Sequence, residues 1–199
     1  MPCSGNTISM ERESRPISYQ SVTHKRLCSL MHRVDAVSLM AAHHDQEARK
    51  ASGIDGVNKD TYGQNLLDNV VDLMRRMKTF EYMPQPVRRT YIPKTNGKLR
   101  PLGIPAYEDR LVQSVMADVL TEVYEPRFLD CSHGFRPGRG AHDVVRYINK
   151  AVMFGKVNYV LEADIKGFFD NVDQSWLLKF LEHDIADRNF IRYIVRFLK

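Results

Sequence analysis

The chain has 199 residues, of which 43% are hydrophobic, and its 29 Lys or Arg against 24 Asp or Glu give a formal net charge of +5. This composition excludes an intrinsically disordered protein, and the length suits one ordinary domain or two small ones that share an interface. The 3 widely spaced cysteines exclude a disulfide framework and a cysteine-rich zinc site. With no signal-like or membrane-spanning run, we expect a cytoplasmic protein in a reducing compartment, with no membrane partner.

The amino-terminal part of the chain divides into an arm and two helices. Residues 1–23 are polar and unpatterned, which predicts a flexible arm. From Leu27 to Met40, apolar residues recur at intervals of three or four, which predicts an amphipathic helix. A turn-rich loop at Ser52–Val57 precedes a second helix with a single apolar stripe. The members of this stripe are Leu66, Leu67, Val70, Val71, Met74 and Met77.

A basic hairpin is predicted next. Val87–Lys94 and Lys98–Ile104 have the pattern of two strands joined through Asn96-Gly97, a dipeptide that favours a tight hairpin turn. The segment from Gln85 to Arg100 contains 5 Lys or Arg and no Asp or Glu. Cations beside the turn could neutralise the phosphates of a nucleoside triphosphate. The alternative is a solvated edge hairpin whose lysines discourage edge-to-edge pairing.

Further helices surround a glycine-rich loop in the second half of the chain. A helix is predicted between Pro105 and Pro126, and its stripe comprises Leu111, Val112, Val115, Met116, Val119 and Val123. The basic loop Cys131–Gly140 could grip a nucleic-acid backbone or merely link two helices. The helix after it carries Val144, Val145, Ile148 and Val152. Two more helical patterns run from Trp176 to Ile185 and from Phe190 to Leu198, and the last one stops at the chain end without a cap.

A carboxylate at the end of a predicted strand is the main candidate for chemistry. Alternation over residues 157–164 predicts a buried strand that ends at Asp164. Such a carboxylate could bind a divalent metal, and a turn or cap aspartate is the plain alternative. At least one of Phe168 and Phe169 is expected in the core, and the other could lie against a sugar.

Other polar residues have simpler interpretations. Asp170 and Asp173 precede a helix and are expected to cap it. Glu108-Asp109 opens a helix, so both acids are interpreted as first-turn charges that complement the helix dipole. His43-His44, at a polar helix end, is interpreted as a solvated face.

Four sequence blocks occur in a fixed order: Ser52-Gly-Ile-Asp-Gly-Val57, Tyr91-Ile-Pro-Lys-Thr-Asn-Gly-Lys-Leu-Arg-Pro-Leu-Gly-Ile-Pro105, Gly134-Phe-Arg-Pro-Gly-Arg139 and Ala163-Asp-Ile-Lys-Gly-Phe-Phe-Asp170. Together they resemble group II intron reverse transcriptases. The resemblance implies an α+β fold, the fingers and partial palm of a right-hand polymerase, with helices packed around a basic β-hairpin and the first palm strand. It implies fingers with an amino-terminal extension helix over residues 24–154 and the start of the palm over residues 155–199.

The resemblance also implies site roles. Asp164 would bind two catalytic Mg²⁺ ions, the Ile165 carbonyl would bind one of them, and Phe169 would be the steric gate that excludes a 2′-hydroxyl. The implied triphosphate contacts are Lys94, Arg100 and, more weakly, Arg89. The implied contacts with the templating base, the template strand or the pocket wall are Pro101, Leu102, Gly103, Arg110, Gln113, Arg136 and Arg139.

One departure limits what this fragment is expected to do. These enzymes need an aromatic-x-Asp-Asp motif for further carboxylates, and no Asp-Asp pair occurs in the sequence. Two-metal catalysis requires carboxylates on both sides of the metal pair. We therefore expect the fragment to bind structured RNA yet synthesise no DNA.

The implied partners are those of an intron-encoded polymerase. They are group II intron RNA, an RNA template with a DNA primer, and deoxynucleoside triphosphates, with a maturase role in splicing; a homodimer stays open. Two other functions also stay open. One is a non-catalytic RNA-binding module that assists splicing, and the other is a structural domain that binds no nucleic acid.

Overall fold

The computed structural model describes residues 26–93, 97 and 99–199, so the predicted arm and the tip residues Lys94, Asn96 and Lys98 lie outside it. Helices and one antiparallel two-stranded sheet make up these ranges, which confirms the α+β class. The helices are α1 (Ala36–Asp45), α2 (Lys59–Gly63), α3 (Leu66–Lys78), α4 (Tyr107–Tyr124), α5 (Ala141–Phe154), α6 (Gln174–Asp184) and α7 (Arg188–Leu198). The strands are β1 (Arg88–Pro93) and β2 (Leu99–Ile104). Short 3₁₀ helices lie at Met31–Arg33, Glu125–Arg127 and Phe169–Asn171.

The hydrophobic core lies among α1, α3, α4 and α7, and α1 contacts both α3 and α4. The predicted stripe of α4 is confirmed, because every member is at most 4% exposed: Leu111, Val112, Val115, Met116, Val119 and Val123. Leu39 of α1 and Leu73 of α3 are fully buried opposite them. Full burial of one such side chain stabilises the fold by about 1.5–3 kcal/mol.

The first long helix begins later than its apolar spacing predicts. The Asp35 carboxylate accepts a hydrogen bond from the Ser38 backbone N–H at 2.8 Å, and the Ser38 hydroxyl accepts one from the Asp35 N–H at 3.0 Å. This reciprocal capping box starts α1 directly after Asp35. The predicted continuous helix from Leu27 to Met40 is therefore wrong, although Leu30 and Val34 are still buried in the core.

The residues before α1 join the connection between α6 and α7. The Leu27 N–H donates to the Asp184 carbonyl at 2.7 Å, and the Ala186 N–H donates to the Leu27 carbonyl at 2.8 Å. The Met31 N–H donates at 2.8 Å to the Asp187 carboxylate, which also caps α7. The amino-terminal and carboxyl-terminal parts of the described chain are thus held together.

α3 turns a narrower face to the core than the sequence pattern indicates. Val70, Leu73 and Met77 are buried, whereas Leu67 and Val71 are 62% and 56% exposed. The prediction is wrong for Leu67 and Val71 because, at 100° per residue, they lie well away from the direction that the three buried residues share.

The predicted strand that ends at Asp164 does not form. Residues 156–165 have no regular secondary structure and are exposed. A strand needs a neighbour that satisfies its backbone N–H and C=O groups. The one sheet in the described part of the chain is the β1–β2 hairpin, so this segment has no partner there. The expectation that at least one of Phe168 and Phe169 packs in the core is also wrong, because they are 51% and 82% exposed.

The hairpin is confirmed, but its surroundings differ from the prediction. β1 and β2 pair antiparallel from Arg88↔Ile104 to Pro93↔Leu99. Nearly all of their residues are exposed. The core helices therefore contact one another and do not surround the hairpin, because its side chains do not supply a buried apolar face.

Candidate functional site

The two faces of the hairpin carry different arginines. Arg100 lies opposite Ile92, and Arg89 lies opposite Gly103. Opposed residues share a face, and successive residues along a strand alternate between faces. Arg89 and Arg100 are both exposed, on opposite faces of the ribbon. They are therefore not placed to hold one triphosphate from the same side. Lys94, the other predicted triphosphate contact, lies outside the described residues.

The predicted template contacts on β2 are accessible. Pro101, Leu102 and Gly103 are all exposed, and Leu102 shares the face of Arg100. A Cβ atom on Gly103 would lie 3.2 Å from a methyl group of Val87, which is a tight contact. The absence of a side chain at this position thus keeps the surface beside Pro101 open.

Arg110 and Gln113 of α4 differ in what they can offer. The Arg110 guanidinium donates at 2.5 Å to the Ala51 carbonyl and at 3.3 Å to the Pro105 carbonyl. Its donors therefore hold the loop before α2 against the start of α4. Gln113 is exposed one helical turn further on. Of the two predicted contacts, Gln113 has the freer side chain.

The two acids at the start of α4 bind other segments of the chain, in addition to the predicted interaction with the helix dipole. Asp109 is 2% exposed, accepting hydrogen bonds from the Tyr82 hydroxyl at 2.5 Å and the Gln85 N–H at 2.9 Å. Burial raises the pKa of the Asp109 carboxyl. Glu108 forms an ion pair with Arg76 at 2.7 Å. Both acids lie in the first turn of α4, as predicted, and their side chains also bind groups from other segments.

The interpretation of His43 as solvated is wrong. His43 is 5% exposed, and its Nδ1 is hydrogen-bonded to the Tyr107 hydroxyl at 2.9 Å. Burial lowers the pKa of His43, and the positive charges of His44 and Lys59 lower it further. Burial raises the pKa of Tyr107 to about 12. His44 itself is exposed, as expected.

The arginines of the glycine-rich loop hold it against the segment that precedes it. The Arg136 side chain is 6% exposed and pairs with Glu125 at 2.8 Å. It also donates to the carbonyls of Leu129 and Ser132 at 2.9 and 2.8 Å. Arg139 donates to the Asp130 carbonyl at 2.6 Å. The donors that the sequence suggests for nucleic acid therefore stabilise the loop itself.

Phe135 lies in this loop, and the sequence pattern identifies it only as a member of the block Gly134–Arg139. Its side chain is fully exposed, and its backbone has φ +56°. A non-glycine residue in the left-handed region is uncommon. The signal was present in the sequence as an aromatic residue between Gly134 and Arg136, but its exposure depends on the fold of the loop.

Asp164 lies in the exposed irregular segment at residues 156–165, next to Ile165, which is 70% exposed. The rings of Phe168 and Phe169 meet edge to face with centroids 5.4 Å apart. Asp173 caps α6 through the Ser175 N–H at 2.8 Å, as predicted, whereas Asp170 lies within a 3₁₀ helix. Asp164 is thus accessible to an incoming ligand.

The residues in the described ranges do not build a complete magnesium site. Mg²⁺ requires near-octahedral oxygen ligands, of which proteins usually supply one or two carboxylates. Across residues 26–93, 97 and 99–199, no three His, Cys, Asp or Glu side chains come together in a group that could hold a metal ion. Asp164 therefore offers one carboxylate without a described carboxylate partner. No described helix is long and apolar enough to span a bilayer.

Comparison with known proteins links this geometry to one family. Residues 92–198, more than half of the chain, match the family described as "Reverse transcriptase (RNA-dependent DNA polymerase)". The matched region runs from β1 to the end of α7 and includes Arg100 and Asp164.

Individual relatives point the same way. The chain is 38% identical over 159 residues to "Group II intron-encoded protein LtrA" of Lactococcus lactis subsp. cremoris, covering 79% of this chain and 26% of the relative. It is 37% identical over 150 residues to "Protein YkfC" of Escherichia coli (strain K12), covering 74% and 39%. It is 34% identical over 95 residues to "Nuclear intron maturase 1, mitochondrial" of Arabidopsis thaliana, covering 48% and 13%. The chain thus spans about a quarter of the length of LtrA.

Proposed function

Because the chain belongs to the reverse transcriptase family, with relatives among group II intron-encoded proteins and intron maturases, we propose that it is part of an RNA-directed DNA polymerase that also assists intron splicing. The family match over residues 92–198 is the observation that carries this proposal. The substrates would be an RNA template with a DNA primer and deoxynucleoside triphosphates, and the intron RNA would be a further partner. The fold would be the fingers and partial palm of a right-hand polymerase.

The residues of this chain would bind and orient the reactants. Arg100 would neutralise triphosphate charge from an exposed face of the hairpin. Phe169 would lie under the sugar and exclude a 2′-hydroxyl, which its 82% exposure supports. Pro101, Leu102 and Gly103 would support the templating base, and the exposed Gln113 would contact the template strand.

Magnesium is the metal that this family of reactions implies. It would stabilise negative charge on the phosphates during attack by the primer 3′-hydroxyl. Asp164 and the Ile165 carbonyl would supply oxygen ligands, which their exposure supports. The described residues do not complete the site, so we expect the 199-residue chain alone to synthesise no DNA. Both described cysteines, Cys28 and Cys131, are exposed free thiols, which supports action in the reducing cytoplasm.

A primer-extension assay on the full-length gene product tests the proposal. We expect Asp164→Asn to abolish DNA synthesis, because the variant loses the charge of a metal ligand, while RNA binding is unchanged. Glu162→Gln is the matched control, since it removes a carboxylate from the same exposed segment and should leave synthesis intact. Equal synthesis by Asp164→Asn and the wild type would refute the assigned metal role.

The rival function is a non-catalytic RNA-binding module that assists splicing. It is favoured by one observation: Arg88, Arg89 and Arg100 are all exposed on the hairpin, as phosphate contacts require. The same Asp164→Asn variant separates the two functions. If the wild-type protein extends no primer, and both it and the variant assist splicing equally well, the rival is correct.

A further inference from the structure

The base of the hairpin is joined closely to α4. β2 ends at Ile104, and α4 begins after only two further residues, Pro105 and Ala106. Ala106 occupies the N-cap position and has no side-chain cap. The first backbone N–H groups of a helix lack partners inside the helix, so another segment or water must satisfy them. At this junction the acceptor comes from the loop Ser52–Val57.

That loop lies directly against the junction, backbone to backbone. A Cβ atom on Gly53 would lie 2.5 Å from the Pro105 carbonyl oxygen and 2.7 Å from the Ala106 nitrogen. No side chain fits at this position without displacing main-chain atoms. Gly56, with φ +68°, provides the left-handed turn that brings the loop back.

Asp55 makes the polar contact between the loop and α4. One of its carboxylate oxygens accepts the Tyr107 N–H at 2.9 Å, and the other accepts the Val57 N–H at 3.2 Å. Asp55 therefore caps α4 from a distant part of the chain. Its negative charge lies at the positive end of the 18-residue helix dipole.

The other side of the hairpin is held in a similar way. The segment that leads into β1 is fixed by Asp109, which accepts the Gln85 N–H at 2.9 Å and the Tyr82 hydroxyl at 2.5 Å. Asp109 thus links the segment before β1 to the first turn of α4, and Asp55 links the loop Ser52–Val57 to the same turn. Arg110 adds a contact at this base by donating to the Pro105 carbonyl at 3.3 Å, whereas the strands beyond the base are exposed.

We propose that Asp55 is a positioning residue for the nucleotide: by capping α4 it fixes the end of β2, and with it the side chain of Arg100. The proposal rests on the proposed function, because it takes Arg100 as a triphosphate contact. Asp55 itself touches neither nucleotide nor template. Its removal changes where the hairpin stands relative to α4, while the core beneath stays intact.

Amide hydrogen exchange on the 199-residue chain tests the geometric half of the proposal. In Asp55→Ala we expect the amides of Tyr107 and of the Arg88↔Ile104 end of the ladder to exchange about five- to tenfold faster, the effect of losing a helix cap. Amides of α3 and α7 should be unchanged. Asp55→Asn keeps an acceptor oxygen and should restore protection. Asp60→Ala is the matched control, because Asp60 is an exposed acid in the first turn of α2.

Steady-state primer extension by the full-length protein tests the functional half. We expect Asp55→Ala to raise the KM for deoxynucleoside triphosphate about five- to tenfold with kcat within about twofold, and Asp55→Asn to restore the KM. A purely structural role would instead lower kcat through loss of folded enzyme.

Unchanged exchange at the hairpin base, faster exchange spread equally over α3 and α7, or an unchanged KM would each overturn the proposal. If the wild-type protein extends no primer, the proposed function fails, and the exchange data still decide whether Asp55 fixes the hairpin.

Discussion

His43 and Tyr107 share a hydrogen bond at 2.9 Å in the core, next to the junction of hairpin and α4. Burial lowers the pKa of His43 below its ordinary value of 6.5, and His44 and Lys59 add to this effect, while Asp60 opposes it. The folded protein therefore holds His43 neutral at a pH where the unfolded chain binds a proton. The stability that follows is fully present above pH 6.5 and is lost as the pH falls towards the lowered pKa.

We expect the free energy of unfolding to fall between about pH 7.5 and about pH 5.5 in the wild type, and to fall less in His43→Gln, which cannot be protonated. The raised pKa of Asp109 acts with the opposite sign, because there the folded state binds the proton first. Both proteins contain Asp109, so its contribution cancels in their difference. Urea denaturation of the wild type and of His43→Gln across this pH range measures the difference in their free energies of unfolding. His142→Gln is the control, since His142 is exposed. If the free energy of unfolding depended on pH as weakly in His142→Gln as in His43→Gln, the role of His43 would be contradicted.

At the level of elements, the hairpin register decides which arginines act together. Arg100 shares a face with Leu102 and Ile92, while Arg89 shares the other with Pro101 and Gly103. The sequence pattern identified a basic hairpin, but the face of each cation follows from the pairing Arg88↔Ile104 to Pro93↔Leu99. A one-residue shift in register would turn the side chains of one strand to the opposite face of the ribbon.

We expect Arg100→Gln to raise the KM for deoxynucleoside triphosphate about tenfold in the full-length protein, the effect of losing a charge-assisted hydrogen bond. Arg89→Gln should change the KM by less than about twofold, because its side chain lies on the opposite face. The two variants remove the same charge, so non-specific electrostatic effects affect both. Steady-state primer extension with varied nucleotide measures the difference. Equal effects of the two substitutions would show that the face of the hairpin does not matter.

At the level of the whole molecule, apolar side chains fall into two groups. Those of α1, α3, α4 and α7 are buried together, whereas those of α5 and residues 157–169 are largely exposed. Leu111 is fully buried, for example, and Ile148 is 52% exposed. The stability of the chain therefore depends on the first group.

We expect Leu111→Ala to lower the free energy of unfolding by about 2–5 kcal/mol, because it leaves a cavity in the core. Ile148→Gln should change it by less than about 0.5 kcal/mol, since the side chain is half exposed and contributes little packing. Urea denaturation of the 199-residue chain measures both. A loss of stability in Ile148→Gln as large as that in Leu111→Ala would show that α5 is packed in solution.

The contrast between the buried core and the exposed residues 157–169 explains which expectations about the second half of the chain were wrong. Val157, Leu161 and Asp164 have the alternation of a strand, yet no described strand pairs with them. Alternation predicts which side chains share a face, but a strand forms only when a neighbour satisfies its backbone groups. His43 and Asp109 show the converse, because polar residues at helix ends became buried once Tyr107 and Tyr82 supplied hydrogen bonds.

The amino-acid sequence was sufficient to predict the apolar stripe of α4, the β1–β2 hairpin and, through four ordered blocks, the family. These features depend on contacts between residues that are near in the chain, so local spacing is enough to predict them. Only the folded chain shows that Asp55 caps α4, that Arg136 pairs with Glu125 and that Arg89 and Arg100 lie on opposite faces. Each of these depends on groups brought together by folding, because a hydrogen bond or ion pair forms only where a donor and an acceptor meet in space.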